Sequence, residues 1–533
     1  MSHSPGLKLK DLGVLQKTLA PITSADLFKP DDCLCKPKSS IQVNRFLSRE
    51  ARIRAPSSLK ASVAALGIDV ISFSTGRPSP ETYPFEQLDL TFSDPAFLTS
   101  SSSRNGDDYP ASGPLRSIVY RNDPDSSIDI SIALSYGYSL GCEQLLQFLT
   151  THITHVLCPP YSDWEICLTV GNTSALEIAL RNFANEGDCM LVEEYSYSGM
   201  LEAARALNLN LVPIAMDSDG LCSRDLEAVL SSWESCHPDK PKPRLLYTIP
   251  TGHNPTGITQ PPGRRREVLA VADKHDLLII EDDPYYYLHF SQAGTRSAAT
   301  LLPSYLSLST AGRVIRLDTT SKILAPGLRL GWLTAPKAVV ETFQAAHDLG
   351  IVHPSGLSQV VVYKLLSEAW GHDGFVEWLA HLADEYGRKA RLMLQAMRQA
   401  LGHRGLEDIC SWKDIEAGMF IWLTIDCSSY PGLDHTVESM AAKASIEEHI
   451  YTAALEAGVL CCRGSFFCVP SLSVSAEAPD RGDGDRDGDG AVPLAPSKPI
   501  VYLRLTFASV SDTDLVRGIE RLATALREVF GLT

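Results

Sequence analysis

Short apolar runs recur through the middle of the chain, each ending in a polar or glycine-bearing turn, and stretches with helical spacing of apolar residues fall between them. Runs at 165–170, 188–193, 211–215, 244–250, 277–282, 313–318 and 328–334 read as strands, and Ala175 to Asn185 and Arg264 to His275 read as helices. This alternation predicts an α/β protein whose mostly parallel sheet is covered by helices. Near the C-terminus, Val501-Tyr-Leu-Arg-Leu-Thr-Phe507 alternates with period two, as a strand of a smaller α+β domain would. The expected layout is an N-terminal arm with the first part of the small domain over 1–115, a large domain over 116–365, and the rest of the small domain over 366–533. Within that last part, about 475–497, Asp480, Asp483, Asp485, Asp487 and Asp489 lie among glycines and read as a solvated, disordered insertion between two strands. The spacing there does not make a calcium loop, because the twelfth position is Leu494.

The strand ends carry the chemistry. Ligands of open α/β sheets gather at the carboxyl ends of strands, and five polar groups stand there in order. Gly171-Asn172-Thr173-Ser174 follows the first run and opens a helix, so its backbone N–H groups and the helix dipole suit an anion; an ordinary helix cap is the plain alternative. The turn Asn254-Pro-Thr-Gly257 follows 244–250 and either reverses the chain or holds Asn254 with its amide ready to donate. Asp282 ends 277–282 just before Tyr285, where it serves as a loop carboxylate or as the partner of a protonated ring nitrogen. Thr319, Ser321 and Lys322 follow 313–318, with Arg329 beyond Pro326-Gly327.

In that order these motifs resemble the fold-type I pyridoxal-phosphate aminotransferases, which carry an Asn-Pro-x-Gly turn, an Asp-x-x-Tyr after a strand, and a Ser-Lys followed by an arginine. Glu281-Asp-Asp-Pro-Tyr-Tyr286 and Ser321-Lys-Ile-Leu-Ala-Pro-Gly-Leu-Arg-Leu-Gly331 are similar to the group holding fungal aromatic-amino-acid aminotransferases and kynurenine/aminoadipate aminotransferase, from about residue 45 to the C-terminus. The resemblance implies pyridoxal 5'-phosphate on Lys322 as an internal aldimine, Asp282 at the pyridine nitrogen, and Asn254 and Tyr285 at the ring hydroxyl oxygen. It implies that Asn172, Thr173, Ser321 and Arg329 hold the phosphate, with Thr319 where a serine is more usual, and that Tyr197 stacks on the ring. Arg504 would bind the substrate's α-carboxylate, Gly76 would meet the amino acid through its backbone, Asn254 would also contact substrate, and Tyr136 would reach the phosphate of a neighbouring subunit, which makes a homodimer the expected assembly. The implied reaction is ping-pong transamination of an aromatic amino acid (Tyr, Phe or Trp) with 2-oxoglutarate as acceptor. The alternatives are a 2-aminoadipate or kynurenine aminotransferase, or a lyase or decarboxylase on the same scaffold.

Composition narrows the class further. A chain of 533 residues with 44% hydrophobic content suits a globular protein of more than one domain. A net charge of −17 without a long basic run argues against nucleic-acid binding, and a DNA-binding module has no room before residue 45. No apolar run reaches membrane-spanning length, and the first forty residues hold Asp11, Asp26, Asp31 and Asp32 but no arginine, so a cytoplasmic enzyme is expected. Thirteen scattered cysteines fit reduced thiols rather than a disulfide framework, and none has zinc-site spacing, so no metal is expected.

Overall fold

The computed structural model describes residues 22–55, 57, 76–95, 114–121, 126–290, 301–403, 405–432, 440–470 and 499–532. The acidic stretch 475–497 and the aspartate at 11 lie outside the described residues. Seven strands form the mixed, mostly parallel sheet expected from the sequence: β1 (Trp164–Thr169), β2 (Cys189–Glu193), β3 (Asn210–Ile214), β4 (Leu245–Thr248), β5 (Leu278–Asp282), β6 (Val314–Thr319) and β7 (Gly331–Pro336). Every residue of β1, β2, β4, β5, β6 and β7 is buried, which explains why these strands read as continuous apolar runs rather than as alternations.

Two compact units divide the chain. The first takes residues 1–185, 277–284 and 297–381. It holds the strand order β1-β7-β6-β5, with β5 parallel to β6 and β7 antiparallel to both β6 and β1. The register sets Arg316 opposite Glu281 and Leu317 opposite Asp282. Because side chains alternate faces along extended chain, Glu281 and Asp283, the residue just past β5, share one face and Asp282 takes the other. On the shared face, Arg316 is fully buried: its Nε and Nη2 each lie 3.0 Å from an oxygen of Asp318, and Nη1 lies 3.1 Å from Glu281 and 3.3 Å from Asp283. Burial raises the Asp318 carboxyl above its ordinary range, against the pull of Arg316.

The second unit takes residues 186–276, 285–296 and 382–533. Its strands β4, β2 and β3 run parallel in that order. It also holds a four-stranded antiparallel sheet of β8 (Cys410–Ser411), β9 (Phe420–Asp426), β10 (Cys462–Arg463) and β11 (Ile500–Thr506), in the order β8-β9-β11-β10. The helices Met440–Glu456 and Asp512–Phe530 belong to this unit, and the latter is capped by the Ser511 side chain and ends at Gly531 in the left-handed conformation. All thirteen cysteines are free. Among the described residues, no helix is long and apolar enough to cross a membrane, and no cluster of His, Cys, Asp and Glu is arranged to hold a metal ion.

Candidate active site

In the first unit the ends of β1, β5 and β6 bring together most of the residues expected for the cofactor. Gly171 follows β1 with φ +78°, a conformation that a side chain rarely adopts, and caps the helix Asn172–Phe183. The first-turn N–H groups of that helix, Thr173 among them, have no helical acceptors and face outward at its positive end. Arg329 closes over this turn: its Nη2 donates to Val170 O at 3.0 Å, and a Cβ on Gly171 would stand 2.8 Å from the same nitrogen. Arg329 itself sits at φ +45°, held by its Nη1 donating to Pro326 O at 2.9 Å, and the same nitrogen reaches Ser321 Oγ at 3.5 Å. Thr319 hands its hydroxyl proton to Ser321 Oγ at 3.0 Å and accepts the Ser321 N–H at 3.2 Å, so its hydroxyl is spent on orienting Ser321.

Lys322 lies half-buried in the turn immediately after β6. That turn is closed by Leu324 N–H to Thr320 O at 2.8 Å and pinned from outside by Trp378 Nε1–H to Ile323 O at 2.6 Å, so the backbone carrying the amine is fixed. Asp282 is 5% exposed, and Asn172 Nδ2 donates to its Oδ1 at 2.7 Å and to Leu317 O at 3.2 Å. The other end of the same amide, Asn172 Oδ1, is buried with no partner among the described residues. Asn172 therefore orients the Asp282 carboxylate from the turn that follows β1. Gly76 is exposed, with nothing within 4 Å of where a Cβ would be, and Tyr136 is 64% exposed on the single chain.

In the second unit a separate group assembles around Arg504 on β11. Its guanidinium lies between two rings, 4.4 Å from the centre of Phe420 and 4.7 Å from that of Phe467. Its Nη1 donates to Asn254 Oδ1 at 2.8 Å, and its Nε is buried without an acceptor among the described residues. This bond fixes the Asn254 amide: the oxygen faces Arg504, which leaves the Nδ2 donors for another acceptor. Tyr285, 4% exposed, packs edge-on against Phe420 at 5.7 Å. Tyr197 is half-buried and caps the helix Ser198–Ala206, its ring folded over Gly199, where a Cβ would stand 2.6 Å from the hydroxyl. Next to it, Tyr195 contacts Trp422 and Tyr502, and burial pushes its phenol well above the ordinary value.

Sequence reasoning missed Phe420, Phe467, Glu193 and His253. The two phenylalanines left no local signal, since nothing in their own segments marks a ring that will lie on a guanidinium. Glu193 did leave one: it is a carboxylate closing an otherwise apolar run, and it is fully buried.

Known proteins similar in sequence and fold place the chain in a family. The profile of the family "Aminotransferase class I and II" matches residues 142–478. The chain is 38% identical to aminotransferase swnA of Metarhizium robertsii over 92% of each chain, and 36% identical to an aromatic amino acid aminotransferase of Schizosaccharomyces pombe, covering 92% of this chain and 98% of that one. The crystal structure of aminotransferase Aro8 from Candida albicans superposes with a TM-score of 0.81 at 32% identity, over 93% of this chain and 100% of that one. With a family profile matching residues 142–478 and with sequence and fold matched over more than nine-tenths of its length, the chain belongs to the class I and II aminotransferases.

Proposed function

We propose that this enzyme transaminates aromatic L-amino acids with 2-oxoglutarate as the acceptor, in two half-reactions on one site. The observation that carries the reading is Arg504: a planar fork braced by two rings and by Asn254, with a buried Nε donor left over, suits the bidentate capture of an α-carboxylate common to amino acid and oxo acid. The aromatic preference is supported by the S. pombe relative, which acts on aromatic amino acids.

The family implies pyridoxal 5'-phosphate, and the residues present fit it. The Gly171 turn with Arg329 and Ser321 is an anion cradle that a Cβ would fill, and Asp282 is a buried carboxylate whose face toward Asn172 is polar. When bound, the cofactor supplies an electron sink for the substrate's Cα. The protein's part is then distributed as follows. Gly171, Asn172, Thr173, Ser321 and Arg329 would hold the phosphate, with Thr319 orienting Ser321. Asp282, steadied by Asn172, would keep a proton on the ring nitrogen, and Asn254 Nδ2 and the Tyr285 hydroxyl would meet the ring oxygen, with Tyr197 over the ring. Lys322 would anchor the cofactor and, once displaced by substrate, carry the proton from Cα. Gly76 would present its backbone to the substrate.

We further propose a cytoplasmic homodimer in which Tyr136 reaches the partner's phosphate. Its 64% exposure, with Leu349 at 61% and Leu357 at 39% exposed in the same unit, supports this. The test is direct. Borohydride reduction of the cofactor-loaded enzyme followed by peptide mass mapping is expected to tag Lys322, and Lys322→Ala should give folded protein without the tag and without turnover. Single half-reactions with tyrosine, phenylalanine, tryptophan, kynurenine and 2-aminoadipate rank the donors, and a fastest rate with 2-aminoadipate would overturn the aromatic assignment. Carbon dioxide release with no need of an oxo acid would instead indicate a decarboxylase.

A further inference from the structure

Asn254 does not stand alone in its loop. The residue before it, His253, is 1% exposed, and its Nε2 lies 3.0 Å from Oε2 of Glu193, the last residue of β2, which is itself fully buried. The other ring nitrogen, Nδ1, lies 2.9 Å from Thr256 Oγ1 and accepts the Thr256 N–H at 3.4 Å. One tautomer satisfies every bond: the proton sits on Nε2 facing the carboxylate, and the Nδ1 lone pair receives Thr256. Glu193 in turn collects Thr248 Oγ1 at 2.8 Å, Ile249 N at 3.1 Å and Gln260 Nε2 at 3.1 Å. Four donors thus meet one buried carboxylate, all from β4 or from the loop that follows it.

The loop does not need this pair in order to close. His253 N–H donates to Ile258 O at 2.8 Å, Gly257 N–H to His253 O at 2.6 Å, and Gln260 N–H to Pro250 O at 2.9 Å. Buried Arg265 adds bonds to Gln260 O at 2.9 Å, Pro250 O at 3.1 Å and Thr251 Oγ1 at 3.0 Å. What the Glu193 and His253 side chains add is an imidazole held one residue before Asn254, beside the backbone from which the amide projects to Arg504. A buried carboxylate at the end of β2 is costly to retain beside a loop that is closed without it, so its value lies in what it holds still.

We propose that Glu193 and His253 form a positioning pair for Asn254, setting the direction in which its Nδ2 donors point. This inference rests on the role of Asn254 at the cofactor's ring oxygen proposed above. An N–H donor held on that oxygen draws away the electron density that would otherwise retain the proton on the lysine-bound cofactor. Loosening Asn254 therefore weakens cofactor binding and lets that proton persist to higher pH.

The experiment compares wild type with His253→Ala and His253→Gln, since glutamine keeps an N–H donor for Glu193. Borohydride tagging of Lys322 in wild type comes first; without the tag, it is the proposed function that fails. In the tagging-competent enzyme, pyridoxal phosphate affinity is read by quenching of intrinsic fluorescence. The proton is read from the pH midpoint of the bound cofactor's visible absorbance. His253→Ala is expected to weaken binding about tenfold and to move the midpoint up by about one pH unit, the size of one lost buried hydrogen bond. His253→Gln should recover most of both, and the cofactor-free proteins should unfold within a few degrees of wild type. Wild-type affinity and midpoint in His253→Ala, or a glutamine variant as impaired as alanine, overturns the proposal. If His253→Ala yields no soluble protein, Glu193→Gln takes its place, and unchanged values there overturn it equally.

Discussion

At the scale of single residues, the chemistry depends on side chains whose conformational freedom has been removed by neighbours remote in sequence. Arg504 is held by Phe420, Phe467 and Asn254, so most of the entropy of a long side chain is lost before a ligand arrives. A lysine at this position would keep the charge but lose the planar fork and its fit between two rings, and the Asn254 oxygen would lose a directed donor. Arg504→Lys is therefore expected to raise KM for both the amino acid and the oxo acid by about 10- to 100-fold, roughly 1.4 to 2.8 kcal/mol, with a smaller change in kcat. Equal loss in kcat with unchanged KM, in steady-state assays varying each substrate, would contradict a carboxylate-binding role. Phe467→Leu belongs to the same argument. It removes one ring face but no hydrogen bond, and a KM increase of less than about tenfold is expected, in keeping with a partly exposed cation–π contact.

At the scale of elements, the sequence was most legible where burial was complete and least where the backbone leaves regular conformations. The apolar runs located all seven strands to within a few residues. The run at 328–334 was displaced to Gly331–Pro336 because Pro326–Leu328 forms a 3-10 turn and Arg329 sits at φ +45° before the strand begins. The run at 244–250 shortened to Leu245–Thr248 because Ile249 gives its N–H to Glu193 instead of to a strand. The helix expected from Ala175 starts at Asn172, since Gly171 supplies the cap. The antiparallel direction of β7 and the rings around Arg504 were invisible, because each depends on pairing between segments far apart in the chain. Two glycines separate the folding role of these turns from their binding role. A Cβ on Gly331 would stand 2.6 Å from Asp318 O and 3.1 Å from Thr169 Oγ1, between strands that cannot part. Gly331→Ala should therefore cost about 1 to 3 kcal/mol of stability, read as a lowered midpoint in urea. On Gly171 the Cβ meets the movable end of Arg329, 2.8 Å away. Gly171→Ala carries the penalty of its φ of +78°, about 1 to 2 kcal/mol, yet should weaken pyridoxal phosphate binding more severely than Gly331→Ala does. Equal cofactor affinity in the two variants, by fluorescence titration, would argue against an anion cradle at Gly171.

For the whole molecule, acid stability is set by opposing electrostatic terms. A net charge of −17 means that mild acidification relieves self-repulsion and favours the folded state. Buried histidine acts in the opposite sense. His152 is fully buried, with its Nδ1 3.1 Å from His372 Nε2 and its ring 5.2 Å from that of Phe375. Burial first, then the nearby charges of His372 and Arg316, depress it to about 3 from an ordinary 6.5. His372 is lowered as well, mainly by burial. Between pH 6.5 and about 3 the unfolded chain binds a proton at residue 152 that the folded chain refuses, so this contribution is full above 6.5 and is lost as pH falls through that window. Each unit of pH below 6.5 costs up to about 1.4 kcal/mol from this one group, a steeper local dependence than the diffuse relief of surface repulsion at moderate salt. The thermal midpoint should accordingly fall between pH 7 and pH 5. His152→Phe, which cannot titrate, should flatten that fall even if it lowers the midpoint at pH 7 by disturbing the contact with His372. Because both proteins share every surface charge, the difference in their unfolding free energies at each pH isolates the buried imidazole. A difference that stays constant from pH 7 to pH 5, measured by calorimetry at fixed ionic strength, would show that the buried ring does not set the acid limit.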